Sequence, residues 1–491
     1  MSTRSHIVRG FKATLVARAV FMVSSALLMI VLARFLLDPN SYGALYWAIG
    51  ILAIVQLFAD VGLGKSAARY FAEYREKDPG QIPHLIQSTV AYKVIVITLV
   101  AYFLLLFHDR IAAALGEPSA APFLAAGVIY IAVNSFNTFC QVAFQGFNHL
   151  VYSATVQAIG GVARLVFAVA FVLLGFGALG ALFGYIVGYA IAAAFGLAIL
   201  YYRFYLEYNP APEFEDGLSR RLIEYSLPLT ATRSANVLDK QIDIVLVGVF
   251  LNPVAVGFYT IAKQITDFVL APAESLGFTI SPNFGEQKAS GQLEEARSIY
   301  ETALTNALLF YIPAAAGLAI VSEPFIRLVI GADYLGAVTV LQILCLFVVL
   351  QAITNLTSDS LDYLGRARAR AVAKGVTAVA NFGLNLVLIP TIGIVGAALA
   401  TVLTHSVYVA VNLYIVHSEL SLRLESLARS VGTIVVITGV MAGAVLLATP
   451  MVSDLLMLAG VIALGAGTWA VLAVASGLVD LHEVRSVIAS T

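Results

Sequence analysis

Leu37-Asp38-Pro39-Asn40-Ser41-Tyr42-Gly43 returns 214 residues later as Leu251-Asn252-Pro253-Val254-Ala255-Val256-Gly257. Each copy is a short turn between two long apolar runs, with proline where a helix can start and glycine four residues on. At the same offset the acid Asp60 falls on the acid Glu274. Further along, Gly177 and Gly180-Ala181 return as Gly393 and Gly396-Ala397, offset by 216. The chain therefore reads as a duplication, with equivalent elements six apolar runs apart. An even number gives the two halves the same orientation, which implies a pseudo-two-fold axis along the membrane normal.

Composition agrees with a membrane location. Of 491 residues, 60% are hydrophobic and 12% charged, and mean hydropathy is +0.91. A soluble surface of this size needs about a quarter of its residues charged, so an ordinary soluble protein is excluded. The basic and acidic residues nearly cancel at a net charge of −1, which gives no electrostatic footprint for nucleic acid. Cys140 and Cys345 both lie in apolar runs and read as unpaired core residues.

A helix needs roughly 20 apolar residues to cross the hydrocarbon core. Fourteen such runs are expected at 11–37, 44–64, 86–107, 122–145, 151–174, 178–200, 223–249, 254–281, 299–321, 335–357, 370–389, 393–416, 430–449 and 453–476. The fold expected is an all-α polytopic membrane protein of two six-helix lobes, with two extra C-terminal helices that have no counterpart in the repeat. Its parts are an N-lobe at 1–200, a cytoplasmic linker at 201–222 holding Pro210, Pro212 and several acids, a C-lobe at 223–416, and the last two spans with a tail at 417–491. An inner N-terminus leaves only Arg110 and Arg327 in outer loops, while Lys65, Arg69, Arg75, Lys77, Arg220, Arg221 and the Arg366, Arg368, Arg370 cluster lie inside. The positive-inside rule then makes both termini cytoplasmic in a plasma or inner membrane. The outer loops are short, which argues against an outward-facing catalytic domain.

Charged side chains at membrane depth are costly and mark function or pairing. Within or at the ends of spans stand Arg18, Arg34, Asp60, Lys93, Arg164, Arg233, Asp239, Lys240, Asp243, Lys263, Asp267 and Glu274. Arg34 and Lys93, near span ends, are expected to snorkel to the interface. Lys263, Asp267 and Glu274 share one helical face within about 40°, and Arg233, Asp239, Lys240 and Asp243 spread over a broader arc. Asn134, Asn137, Gln141 and Gln145 follow helical spacing on the fourth span, as do Gln351 and Asn355 on the tenth. These stripes imply a polar interior. Arg18, Arg164, Arg233, Lys240 and Lys263, with Asn134, Gln141, Gln351 and Asn355, are the candidate substrate-binding groups. Asp60, Asp239, Asp243, Asp267 and Glu274 are candidates for ion coupling.

Other chemistries find no support in the residues. Ala59-Asp60-Val61-Gly62-Leu63-Gly64-Lys65-Ser66 imitates a phosphate-binding loop but lacks its first glycine and its strand-to-helix setting. The histidines have no metal spacing, and no nucleophile constellation is visible. No metal, no resident cofactor and no catalytic residue is expected.

The chain resembles the oligosaccharide-lipid flippases, the polysaccharide-exporter branch of the multidrug/oligosaccharidyl-lipid/polysaccharide exporter superfamily. Carrying segments are Leu36 to Gly43, Asp60-Val61-Gly62-Leu63-Gly64 with Arg69-Tyr70, Gln145-Gly146, Gly331 with Tyr334, and Ile392 to Thr401. The resemblance implies two six-helix lobes that alternate access and move a polyprenyl-(di)phosphate-linked oligosaccharide from the cytoplasmic to the outer leaflet. It also implies partners: membrane lipids, the lipid-linked glycan, and glycosyltransferases or a glycan polymerase acting on it, with the chain itself a monomer and with a proton or sodium ion as the coupling species. A multidrug/cation antiporter of the same superfamily, a major-facilitator transporter and a membrane glycosyltransferase are the alternatives.

Overall fold

The computed structural model describes the backbone of residues 3–289 and 292–479, with side chains throughout except at 3–13, 231–232, 273–289 and 359. Every regular element among the described residues is a helix. In order these are α1 (Thr3–Val31), α2 (Pro39–Asp60), α3 (Leu63–Lys77), α4 (Ile82–Ala114), α5 (Ala121–Gly146), α6 (Leu150–Phe171), α7 (Gly177–Leu200), α8 (Leu218–Phe250), α9 (Pro253–Ala289), α10 (Leu293–Phe325), α11 (Val338–Tyr363), α12 (Ala367–Ile392), α13 (Ile394–Leu420), α14 (Leu424–Ala448) and α15 (Leu455–Ala475). All but the fifteen-residue α3 are long enough to span a bilayer.

Among the described residues, twelve segments are both long and apolar enough to cross a membrane. One of them, Leu150–Tyr205, contains both α6 and α7. The helix left over is α8, whose Arg233, Asp239, Lys240 and Asp243 lower its hydropathy. The fourteen expected spans are thus fourteen long helices, and the one poorest in apolar residues carries much of the interesting chemistry.

The repeated turn is a helix cap in both copies. Asp38 Oδ1 accepts from Ser41 N at 2.7 Å, and Asn252 Oδ1 accepts from Ala255 N at 2.9 Å, with proline next in each case. The two copies also touch. A methyl at Gly43 would lie 1.7 Å from Pro253 O, and one at Gly257 would lie 2.6 Å from Pro39 O. Only glycine permits so close an approach.

By contact the chain groups into residues 1–257 and 258–491, whereas the repeat suggests a boundary at 201–222. The difference is α8, which packs in the first unit. Trp47 Nε1 donates to Val245 O at 3.1 Å and Ser66 Oγ to Leu222 O at 2.7 Å. Within this unit Phe71, Phe139, Phe144, Phe147, Leu218 and Leu222 form a buried cluster. The phosphate-loop lookalike resolves into the break between α2 and α3. Gly62 has φ +64°, and a Cβ there would lie 2.5 Å from Ser226 O of α8.

The linker is fastened to the first unit. Ala211 N donates to Gly80 O at 2.9 Å, Gln81 Nε2 to Glu213 O at 3.0 Å, and Glu215 N back to Gln81 Oε1 at 3.0 Å. In the second unit α14 and α15 pack on α10 through Val321, Met441, Val445, Leu458 and Val461, and Trp469 donates to Leu309 O. Their outer faces are apolar, with Leu447 and Leu456 each 83% exposed, as a lipid-facing surface requires. Cys140 and Cys345 are buried and unpaired.

Candidate functional site

Two charged centres can be described in the first unit, apart from Asp243 of α8, which is also buried. One is built on Asp60, the last residue of α2 and 3% exposed. Its Oδ1 accepts from Lys93 Nζ of α4 at 3.0 Å and from Ser135 Oγ of α5. Its Oδ2 pairs with Arg233 Nη2 of α8 at 2.9 Å. Gln56, one helical turn before Asp60, offers Nε2 to the same oxygen at 3.4 Å and accepts from Asn134 Nδ2 at 2.7 Å. Four helices thus converge on one carboxylate. Two cations and one anion leave the cluster with a net formal charge of +1.

The expectation that Lys93 snorkels is wrong. Its side chain is 2% exposed and bonded to Asp60. Its helix begins at Ile82, and the side chain is turned into the unit toward Asp60 and Phe139. Arg233 is the accessible member, with 32% of its side chain exposed.

The second centre is Arg164 on α6, 8% exposed. Nη2 donates to Ser25 Oγ of α1 at 2.7 Å and Nη1 to Tyr189 OH of α7 at 3.3 Å. The guanidinium carbon lies 4.8 Å from the Tyr185 ring and 5.5 Å from the Phe21 ring, a cation–π enclosure. Tyr185 OH and Tyr46 OH share a hydrogen bond of 2.9 Å, and Tyr130 packs edge-on against Tyr189. Arg164 Nε is buried without a hydrogen-bond partner, and no carboxylate among the described residues pairs with this arginine. Close helix contact makes the enclosure: a Cβ at Gly188 would meet the Arg164 backbone at 2.6 Å, and one at Gly161 would meet Phe21 at 2.9 Å.

Gln141 donates to Asn137 within α5 at 3.2 Å, and Gln351 to Asn355 within α11 at 2.7 Å, so these stripes are partly self-satisfied. Arg18, Lys240 and Asp267 are exposed, Asp239 and Lys263 half-buried, and Asp243 buried. Lys263 Nζ lies 5.9 Å from the Tyr259 ring. The side chain of Glu274 lies outside the described residues. No group of three or more metal-ligating side chains occurs among the described residues.

A family model described as polysaccharide biosynthesis protein matches residues 7–277, more than half of the chain and both charged centres. The chain belongs to this family. A second model, MatE, matches residues 228–387. Among curated relatives, the probable low-salt glycan biosynthesis flippase Agl15 of Haloferax volcanii is 25% identical over 412 residues, covering 83% of this chain and 82% of the relative. The lipopolysaccharide biosynthesis protein WzxC of Escherichia coli is 25% identical over 370 residues, 72% of this chain and 69% of its own. Among solved structures, the lipid II flippase MurJ in an inward closed conformation superposes with a TM-score of 0.75 at 14% identity, covering 95% of this chain and 98% of that one. An inward-facing multidrug resistance MATE family transporter superposes at 0.68 with 17% identity, covering 84% and 95%. Sequence reasoning missed Ser135, Ser25 and the four tyrosines, and took Lys93 for an interfacial cation. Only Tyr185 and Tyr189, one turn apart, offered a periodic signal, and aromatic pairs in apolar helices usually read as core.

Proposed function

We propose that this chain is a flippase that moves a glycan linked to a polyprenyl phosphate or diphosphate from the cytoplasmic to the outer leaflet, by exposing one site alternately to the two faces of the membrane. Family membership and the glycan-biosynthesis relatives support the substrate class. The single observation that carries the chemistry is the sign of the charge at the Asp60 and Arg164 centres, with Asp243 of α8 a further buried acid in the same unit. Both centres of the first unit are net positive, one through Lys93 and Arg233 around Asp60 and one through Arg164. A phosphate stripped of water in hydrocarbon loses tens of kcal/mol of hydration in the idealised limit, and arginine forks replace that hydration bidentately.

In this reading Arg233, with Arg18 and Lys240 as further cations of the first unit, meets the phosphate. Arg164 adds positive field from inside the unit, and Asn134 and Gln141 of α5 face sugar hydroxyls. Asp60 already neutralises part of two cations and is a poor site for a third, so coupling to a proton or sodium gradient falls to Asp239, Asp243, Asp267 or Glu274. The chain performs no covalent chemistry, its termini face the cytoplasm, and the enzymes that build or polymerise the glycan are its functional neighbours. The same positive centres disfavour the cationic-drug alternative.

The test is translocation of a fluorescent polyprenyl-diphosphate-linked sugar by the purified chain in liposomes. Wild type accelerates transfer above protein-free vesicles, and Arg233→Gln and Arg164→Gln each reduce it at least tenfold. Transfer no faster than in empty vesicles, or full rates in both variants, contradicts the proposal.

A further inference from the structure

The carboxylate of Asp60 is the group in the first centre whose charge has the same sign as a phosphate. It occupies Arg233 at 2.9 Å. The two cations that hold it are unequal: the Lys93 side chain is 2% exposed and that of Arg233 is 32% exposed. They also grip different oxygens, since Lys93 and Ser135 bond Oδ1 while Arg233 and Gln56 reach Oδ2. An anion approaching this cluster from water therefore meets Arg233 first. Swinging Arg233 away would leave Asp60 bonded to Lys93 and Ser135.

We propose that Asp60 is a resident stand-in for the substrate's phosphate: Arg233 exchanges Asp60 for the incoming phosphate, and Lys93 is the positioning residue that keeps Asp60 anchored during the exchange. Two physical requirements are met. First, a carboxylate abandoned by its only cation inside a low-dielectric protein carries a large penalty. Here Lys93 remains, so the group left behind is a neutral, hydrogen-bonded pair. Second, a carrier must bind well enough to load and weakly enough to unload. Competition from a tethered carboxylate caps the affinity for phosphate and gives Arg233 a partner to return to when the substrate leaves. The exchange also discriminates, because a neutral glycolipid offers nothing that displaces a carboxylate from a guanidinium. Asp60 thereby acts in selection for anionic carriers.

This inference rests on the reading that Arg233 meets phosphate, and the experiment separates the two. The full chain is purified in detergent, and binding of inorganic pyrophosphate is titrated by calorimetry for wild type, Arg233→Gln, and the double variant Asp60→Asn with Lys93→Met. The double variant removes one charge of each sign, so the cluster keeps its net +1 and its long-range field. Competition predicts that pyrophosphate binds the double variant at least tenfold more tightly than wild type, while Arg233→Gln loses measurable binding. An unchanged or weaker affinity in the double variant, with Arg233→Gln still deficient, overturns the exchange and leaves the phosphate reading intact. Wild-type affinity in Arg233→Gln overturns the phosphate reading itself. If the double variant is not monodisperse, Asp60→Asn with Lys93→Gln reaches the same charge state with polar groups retained at both positions, and the same comparison decides.

Discussion

The chain builds the same small set of groups twice, once inside the membrane and once on the linker. Asp60 is held by one lysine, one arginine and one serine hydroxyl, Lys93, Arg233 and Ser135. Glu215 is held by one lysine, one arginine and one tyrosine hydroxyl. Tyr74 OH donates to it at 2.6 Å, Arg221 at 2.6 Å and Lys77 at 3.4 Å. The first carboxylate is 4% exposed and the second 33%. Water therefore decides what each cluster does. At the linker, solvent screens the charges and replaces any lost partner, so the pairing fastens a strap at small energetic consequence. At Asp60 no such replacement is available, and each partner constrains the others. Arg164 is the third variation, a buried cation answered by hydroxyls and ring faces in place of an acid.

The comparison breaks most readily at Asp60. Asp60→Asn leaves Lys93 buried beside a neutral amide and is expected to destabilise the protein by about 3–5 kcal/mol, the cost of breaking a buried pair from one side. Arg164→Met removes a charge that no acid compensates, and unfolding in detergent is expected to show stability equal to or above wild type, even though transport falls. A large loss of stability in Arg164→Met, matching that of Asp60→Asn, would mean that the hydroxyl and aromatic cage is a structural tie rather than a tolerated cost.

Glu215 should give the smallest effect. The Tyr74 hydrogen bond, then Arg221, hold its carboxyl at about 2, below its ordinary value of 4.5. A depressed value means that its contribution is complete above about pH 4.5 and fades as pH falls toward 2. Glu215→Gln is therefore expected to lower stability by at most about 1 kcal/mol, by a constant amount between pH 5 and 8, with the difference from wild type narrowing below pH 4.5. A difference that changed between pH 6 and 8 would show that another group governs the strap.

Much of this architecture was legible before any coordinates. Long apolar runs gave the helices, because a lipid-embedded backbone has few other solutions. The recurrent Leu-Asp/Asn-Pro segment identified the duplication, and the structure adds that each copy caps a helix and that Gly43 and Gly257 lie where the copies meet. Asp60, Arg164 and Arg233 stood out because charge inside hydrocarbon needs a reason. What the sequence concealed was partnership. Arg233 and Asp60 are bonded across more than 170 residues, and no local period encodes that distance. Lys93 was misread because its partner Asp60 lies 33 residues earlier, beyond any local period. The tyrosines around Arg164 look like ordinary core until their hydroxyls are seen to converge. Pro210 and Pro212 lie in the segment between α7 and α8, whose fastening depends on Gly80 and Gln81, some 130 residues earlier.

The central claim is that the Asp60 and Arg164 centres of the first unit select an anion. Its most direct test is the melting temperature of the purified full chain in detergent, with either sodium varied at fixed chloride or pyrophosphate varied at fixed sodium, and choline balancing the remaining charge. The account predicts a rise with pyrophosphate that Arg233→Gln abolishes, and no response to sodium from the Asp60 cluster. Stabilisation by sodium that disappears in Asp60→Asn, with pyrophosphate inert, would contradict it.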